Sequence, residues 1–290
     1  MKNVLFLFAA ALLVLPGCDY VSAPQQAGSS SGGGGGNGIT RRVLLEDFTG
    51  HTCPNCPAAA VTLHTLQDLY PDQIMAISIH TGWFGDPCPP HPLPNGAQAG
   101  SFSEDLTCAA SDDYDAVYSM SGSPPVGMVN RLGYPANYIK QAGEWASIID
   151  SLLQTPATAD LAFDTVIYNS TTHDLNVSVS GKFIDAQNGT FNLAVMLVED
   201  SLSGWQIDGT TYLPSYVWMH VLRDCINTPG SVTGEQVATG TIAANSTFSW
   251  TLSSSYNVSA SFNPAHCHLI AYIYNTATKE ALQAAEADLQ

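Results

Sequence analysis

The sequence predicts an α/β domain followed by an antiparallel all-β sandwich domain, and three observations predict it. An apolar run, Val43-Leu44-Leu45-Glu46-Asp47-Phe48, leads into Cys53-Pro54-Asn55-Cys56 and then into a helical pattern from Ala58 to Leu69. A proline-led apolar segment, Pro125 to Val129, follows downstream. From Ala157 onward the apolar period changes to two, the signature of half-buried strands.

The elements of the first domain follow in order. Residues 40–48 read as a buried strand that Gly50 ends. Ala58, Val61, Leu63, Leu66 and Leu69 form the apolar face of a helix. Ile74 to Ile79 reads as a second buried strand, and strand-helix-strand in about forty residues implies a right-handed crossover with parallel pairing. Residues 81–110 are rich in Pro and Gly and read as a loop insertion. Asp112 to Met120 and Ile139 to Leu153 read as helices flanking the proline-led strand.

In the second domain, Leu175, Val177, Val179 and Phe183 alternate with Asn176, Ser178, Ser180 and Lys182. Asn188-Gly189 is a hairpin signal. Phe191 to Val198 is a continuous apolar strand, and Phe248, Trp250 and Leu252 alternate with polar residues. Leu269 to Tyr274 is apolar on both faces, as a central strand requires. Short strands with polar turns indicate an antiparallel sandwich.

A CxxC at a strand-to-helix junction is a candidate dithiol centre. Unpaired N–H groups and partial positive charge at the helix start favour a thiolate on Cys53. Cys53 would be the attacking sulfur and Cys56 the resolving one, which requires Cys53 to be reachable from solvent. The element order resembles thioredoxin, as does the Asp47-Phe48 pair six residues before Cys53. That resemblance implies a thioredoxin-like N-terminal domain, a cis Pro125 beside the dithiol, and a proton-handling role for a buried Asp47. Two features depart from it: Thr52 stands where thioredoxin has Trp, and the pair Pro54-Asn55 where it has Gly-Pro.

The N-terminus reads as an export signal. Val4 to Leu15 is a twelve-residue apolar run, too short to span a bilayer, ending Leu15-Pro16-Gly17-Cys18. The ending resembles a lipoprotein cleavage site, with Cys18 as the acylated residue and residues 1–17 as signal peptide. A Ser/Gly-rich tether at 18–38 has a mean reach of roughly 25 Å. The expected domains are then 39–156, thioredoxin-like with the insertion at 81–110, and 157–290, a β-sandwich.

The 290 residues carry 45% apolar side chains and a formal charge of −17 with only eight Lys and Arg, which excludes nucleic acid and anionic membrane surfaces as partners. Cys18 aside, six cysteines remain of seven, and an even number in an exported chain suggests three disulfides. Domain order suggests Cys53–Cys56, Cys88–Cys108 and Cys225–Cys267. A metal-handling alternative through His80, Cys88 and His91 competes with the disulfide assigned to Cys88. No cofactor and no metal site are expected.

Four phrases resemble the outer-membrane-protein-28-related lipoprotein family. They are Leu45 to Pro57, Met128-Val129-Asn130-Arg131, His220-Val221-Leu222-Arg223 and Tyr272-Ile273-Tyr274-Asn275. The resemblance covers residues 40–290 and implies an outer-membrane lipoprotein facing the periplasm or the cell surface. It supplies no substrate. Two functions compete. One is thiol–disulfide exchange through Cys53, Cys56, Asp47 and Pro125, with protein thiols or disulfides as partners. The other is non-catalytic binding or adhesion toward a surface ligand, with the CxxC as a structural disulfide.

Overall fold

The protein is described from a computed structural model covering residues 38–120 and 122–289. The expected signal peptide, Cys18 and nearly all of the tether lie outside the described residues.

The chain is mostly β-sheet. β1 (Val43–Thr49) pairs in parallel with β2 (Ile74–His80) across α1 (Cys56–Leu69). It pairs antiparallel with β3 (Val126–Val129). The strand-helix-strand expectation is met, and β1 and β2 are buried on both faces, as parallel strands covered on two sides must be. A one-turn helix, α2 (Gly82–Gly85), opens the 81–110 segment. Two further helices, α3 (Ala109–Tyr118) and α4 (Ala142–Leu153), flank β3 in sequence. Val43, Leu45, Ile74 and Ala76 point to one face, against α1 and α4; Leu44, Phe48, Met75, Ile77 and Ile79 point to the other, toward α3.

The remaining strands are β4 (Ala159–Tyr168), β5 (Asp174–Phe183), β6 (Gln187–Glu199), β7 (Leu202–Asp208), β8 (Thr211–Trp218), β9 (Val221–Cys225), β10 (Glu235–Ile242), β11 (Thr247–Thr251), β12 (Tyr256–Asn257), β13 (Cys267–Asn275) and β14 (Ala281–Asp288). A sheet of β4, β5, β11 and β12 packs on β6 and β13 through Phe183, Phe191, Leu193, Val195, Leu269 and Ile273. That is a sandwich of the expected kind. Asn188-Gly189 is not a hairpin turn, however. Both residues lie inside β6, paired with β10, and the chain reverses at 184–186.

The larger difference is that one face of the sandwich does not stop at residue 157. Its sheet runs β14-β13-β6-β9-β2-β1-β3, with β10 also on β6. β9 lies parallel to β2, with Val221 opposite Ser78, and the Ser78 amide donates to the His220 carbonyl at 2.7 Å. One core therefore contains Leu44, Ile77 and Met128 from the first half and Met196, Leu222, Ile270 and Tyr272 from the second. Residues 38–289 fall within one compact unit.

Two of the three expected disulfides are absent. Cys88, Cys108, Cys225 and Cys267 are free thiols. Cys225 on β9 and Cys267 on β13 are separated by β6, hence by about 10 Å laterally, beyond disulfide reach. They also face opposite sides, Cys225 toward the α3-side core and Cys267 toward the sandwich core. Cys88 packs with Phe102 and Ile207 in a small cluster of its own. Cys108 is the N-cap of α3, its Sγ accepting from the Ser111 amide at 3.4 Å. The 81–110 segment is fastened instead by buried Phe102 and by the Cys88 amide donating to the Phe102 carbonyl at 2.7 Å.

Candidate functional site

The Cys53–Cys56 disulfide is formed, with Cα atoms 5.5 Å apart. It sits on the turn between β1 and α1. Gly50 opens that turn because a Cβ there would strike the Phe84 backbone. The Thr52 amide and hydroxyl both donate to the Phe84 carbonyl at 3.1 Å, and the Cys53 amide closes back to Gly50. Cys56 begins α1 and Pro57 occupies its first turn, where a missing N–H costs nothing.

The dithiol is sealed. Cys53 is 1% exposed and Cys56 2%. The cover is the β7–β8 hairpin, some 150 residues downstream. The Ile207 amide donates to the His51 carbonyl at 2.9 Å, and the Gly209 amide to the Pro54 carbonyl at 2.8 Å. The Gln206 side-chain amide donates to the carbonyls of Cys53 (3.1 Å) and Gly50 (3.3 Å). Gln206 is held in turn by Trp218, whose indole N–H donates to its Oε1 at 2.9 Å. Phe102 packs edge-on to His51 and Tyr212, tying the insertion to the same cover. The expectation of a reachable Cys53 is corrected: the helix start is well formed, but the hairpin excludes solvent from it.

Asp47 is buried, as the thioredoxin resemblance implied. It lies on the face covered by α1, its Oδ1 has no hydrogen-bond partner, and burial pushes its pKa up to about 7. The register places Ser78 opposite it and His80 opposite Thr49, so His80 ends the same face. Both His80 ring nitrogens lack partners, and burial drops its pKa to about 3, so the ring is neutral. His51 is fully buried; its Nε2 donates to the Asp86 carbonyl at 2.9 Å, and burial lowers its pKa. The Pro124–Pro125 peptide is cis.

His80, Cys88 and His91 do not come together. Cys88 and His91 line a depression of about 220 Å³ with Thr52, Trp83, Leu93 and Ile207, while His80 is buried against Trp218. That volume is below the usual range of small-molecule pockets, about 300 Å³ upward.

The phrases behind the family resemblance converge elsewhere. Glu46, Arg131 and Tyr272, from three of them, meet in the core that spans both halves. Arg131 Nε donates to Glu46 Oε2 at 2.9 Å and its Nη2 to the Tyr272 hydroxyl at 2.7 Å. The Tyr114 hydroxyl donates to Glu46 at 2.6 Å. Tyr118, Tyr272 and Tyr274 stack their rings 4.8–5.2 Å from the guanidinium. Arg131 adopts a left-handed backbone, φ 54°, to enter this cage. The sequence showed these phrases but not that they touch, because no local pattern encodes pairing across 140 residues.

Fold and site together define a β-rich protein whose mixed sheet crosses both halves and whose CxxC disulfide is closed beneath a hairpin. The chain belongs to the family described as outer membrane protein Omp28, whose model matches residues 111–290. Among solved structures it resembles HBP35 of Porphyromonas gingivalis, with a TM-score of 0.61 at 14% identity over 87% of this chain and 76% of that one. A domain of the outer membrane lipoprotein Omp28 from Porphyromonas gingivalis matches at 18% identity and TM-score 0.30, over 46% of this chain and 89% of that one. A protein of Agrobacterium tumefaciens matches at 13% identity and TM-score 0.45, over 86% and 94%. No curated protein matches the chain. Family membership suggests a cell-envelope location. No helix among the described residues is long and apolar enough to cross a membrane.

Proposed function

We propose that this chain is a non-catalytic envelope lipoprotein, anchored through Cys18, in which the Cys53–Cys56 disulfide is a structural clasp. The observation that carries the reading is the burial of both sulfurs under the β7–β8 hairpin. A thiolate must approach a disulfide in line with the S–S bond, and a sealed sulfur gives it no approach. The clasp fixes the turn whose carbonyls, at Gly50, His51, Cys53 and Pro54, receive the hairpin. Loops of the β-rich part would present the binding surface for a ligand outside the cell or in the periplasm.

A second reading keeps thiol–disulfide exchange, with the hairpin opening to admit a protein substrate. Buried Asp47, with its pKa near 7, favours it, as does the pairing of β1 with β2 and β3 in the arrangement the thioredoxin resemblance implies. Pro125 would then line the substrate edge. One experiment separates the two. The native protein is incubated with reduced glutathione at neutral pH, free thiols are counted by alkylation and mass spectrometry, and insulin reduction is assayed alongside. The clasp reading expects Cys53 and Cys56 to stay oxidised until denaturant is added, and wild type and Cys53→Ser to be equally inactive. Rapid native reduction with turnover that Cys53→Ser abolishes would establish exchange instead.

A further inference from the structure

At the base of the β7–β8 hairpin, three strand ends bring two imidazoles and a carboxylate to one point. Asp200 follows the end of β6, His220 precedes the start of β9, and His268 is the second residue of β13. These strands are antiparallel neighbours, so their ends coincide. One donor atom from each residue lies within 4.8 Å of the others.

The ring nitrogens are sorted in a way that isolated histidines do not require. His220 turns Nε2 toward the Gln67 side-chain carbonyl on α1, at 3.1 Å, an acceptor that only an N–H can satisfy. Its Nδ1 is then a bare lone pair. It faces Asp200 Oδ1 at 3.3 Å and has no hydrogen-bond partner. His268 also turns Nδ1 toward Asp200, 3.7 Å from Oδ2, but its Nε2, 3.3 Å from Glu286 Oε1, makes no hydrogen bond. Both rings thus turn Nδ1 toward Asp200, and two ring nitrogens and a carboxylate converge on one space. A ring proton can offset the carboxylate for one imidazole at a time, whereas a bound cation engages all three donors at once.

The backbone holds the set in place. Asp200 Oδ1 accepts from the His220 amide at 2.6 Å, and the Asp200 amide donates to the His266 carbonyl at 2.9 Å. The His268 side chain is 5% exposed, whereas Asp200 is 25% exposed, so the point is walled on one side and open on the other. Arg223, the nearest cation in sequence, is paired with Glu199 at 2.9 Å and does not neutralise Asp200.

We propose that Asp200, His220 and His268 form a site for a divalent transition-metal ion, zinc being the ion that two imidazoles and one carboxylate suit best. Both histidines coordinate through Nδ1. Gln67 behind His220 is a positioning residue, accepting the distal N–H of that ring as carbonyls orient metal-binding histidines, and Glu286, 3.3 Å from His268 Nε2, is placed to do the same once a metal fixes that ring. Three protein ligands leave one tetrahedral position for water or for an outside donor. Tetrahedral donors about 2.0–2.1 Å from zinc are roughly 3.4 Å apart; the present spacing closes to that by small side-chain rotations. Asp200 and His220 flank the hairpin that covers the dithiol, yet the ligand set is the same whichever reading of the dithiol holds.

The test uses the chelator-treated chain from residue 19 onward, titrated with zinc in competition with a chromophoric chelator, and with cobalt(II) for its visible spectrum. One equivalent of zinc is expected to bind and raise the melting temperature. His268→Ala, Asp200→Asn and His220→Asn each weaken binding at least tenfold; Asn at 220 tolerates the left-handed backbone there, φ 57°. Glu286→Gln weakens it by about 10-fold or more while leaving one equivalent bound. His91→Ala and the Cys53→Ser/Cys56→Ser pair leave the affinity unchanged. Zinc binding that survives His268→Ala and Asp200→Asn in folded protein, or no binding at 100-fold excess of zinc over wild type, would overturn the proposal.

Discussion

Asp47 is a carboxyl group with no partner for its charge. It is 2% exposed, and burial holds its pKa near 7 rather than near 3.8. The sign of the consequence is fixed by linkage. Between those values the folded protein binds more protons than the unfolded chain, so stability falls as pH rises through that window. About 3 units of displacement correspond to roughly 4 kcal/mol at most. Asp47→Asn is therefore expected to stabilise the protein at pH 8 by about 2 kcal/mol more than at pH 5, read from urea unfolding at the two pH values. An equal effect at both would mean that Asp47 is ionised in the native state. The sequence placed an acid in a strand that reads as buried. It did not reveal that no cation faces it, since that depends on what Ser78, His80 and α1 bring to the same face.

At the level of elements, the β7–β8 hairpin decides the chemistry of the CxxC. Gln206 is its main fastening: its amide donates to three backbone carbonyls, and its Oε1 accepts from the Trp218 indole. Gln206→Ala leaves those buried groups unpaired, at a cost of about 1–3 kcal/mol. It is also expected to speed reduction of Cys53–Cys56 by a soluble phosphine, followed by mass spectrometry under native conditions. A stability loss with no change in reduction rate would show that the hairpin is not the barrier. The helices and strands on either side were legible, because period and apolar runs fix them locally: α1, β1, β2, β5, β11 and β13 all fall where their patterns predict. The Asn188-Gly189 signal misled because Gly189, at φ 133°, serves an internal strand position beside Asn275 instead of a turn.

On the scale of the whole molecule, the junction of β9 with β2 turns two sequence regions into one core. Arg131, Glu46 and Tyr272 lock that core across it. The Arg131–Glu46 pair lies within the first half, and it is the bond from Arg131 to the Tyr272 hydroxyl that crosses to the second, so separating the halves would leave a buried guanidinium short of a partner. Unfolding is accordingly expected to be a single cooperative transition, with tryptophan fluorescence and far-UV circular dichroism giving coincident urea curves. Two resolved transitions would show that residues 39–156 and 157–290 unfold as separate domains.

Composition and periodicity alone determined the class of each segment and the strand-to-helix placement of Cys53 and Cys56, because each depends on neighbours within a few residues. Family phrases could be read as words but not as contacts. Only the tertiary structure decided which cysteines pair, what covers the dithiol, and that Asp200, His220 and His268 share one point. Those outcomes depend on strand order and on which face a side chain takes, and a linear pattern is the same whichever strand lies next to it.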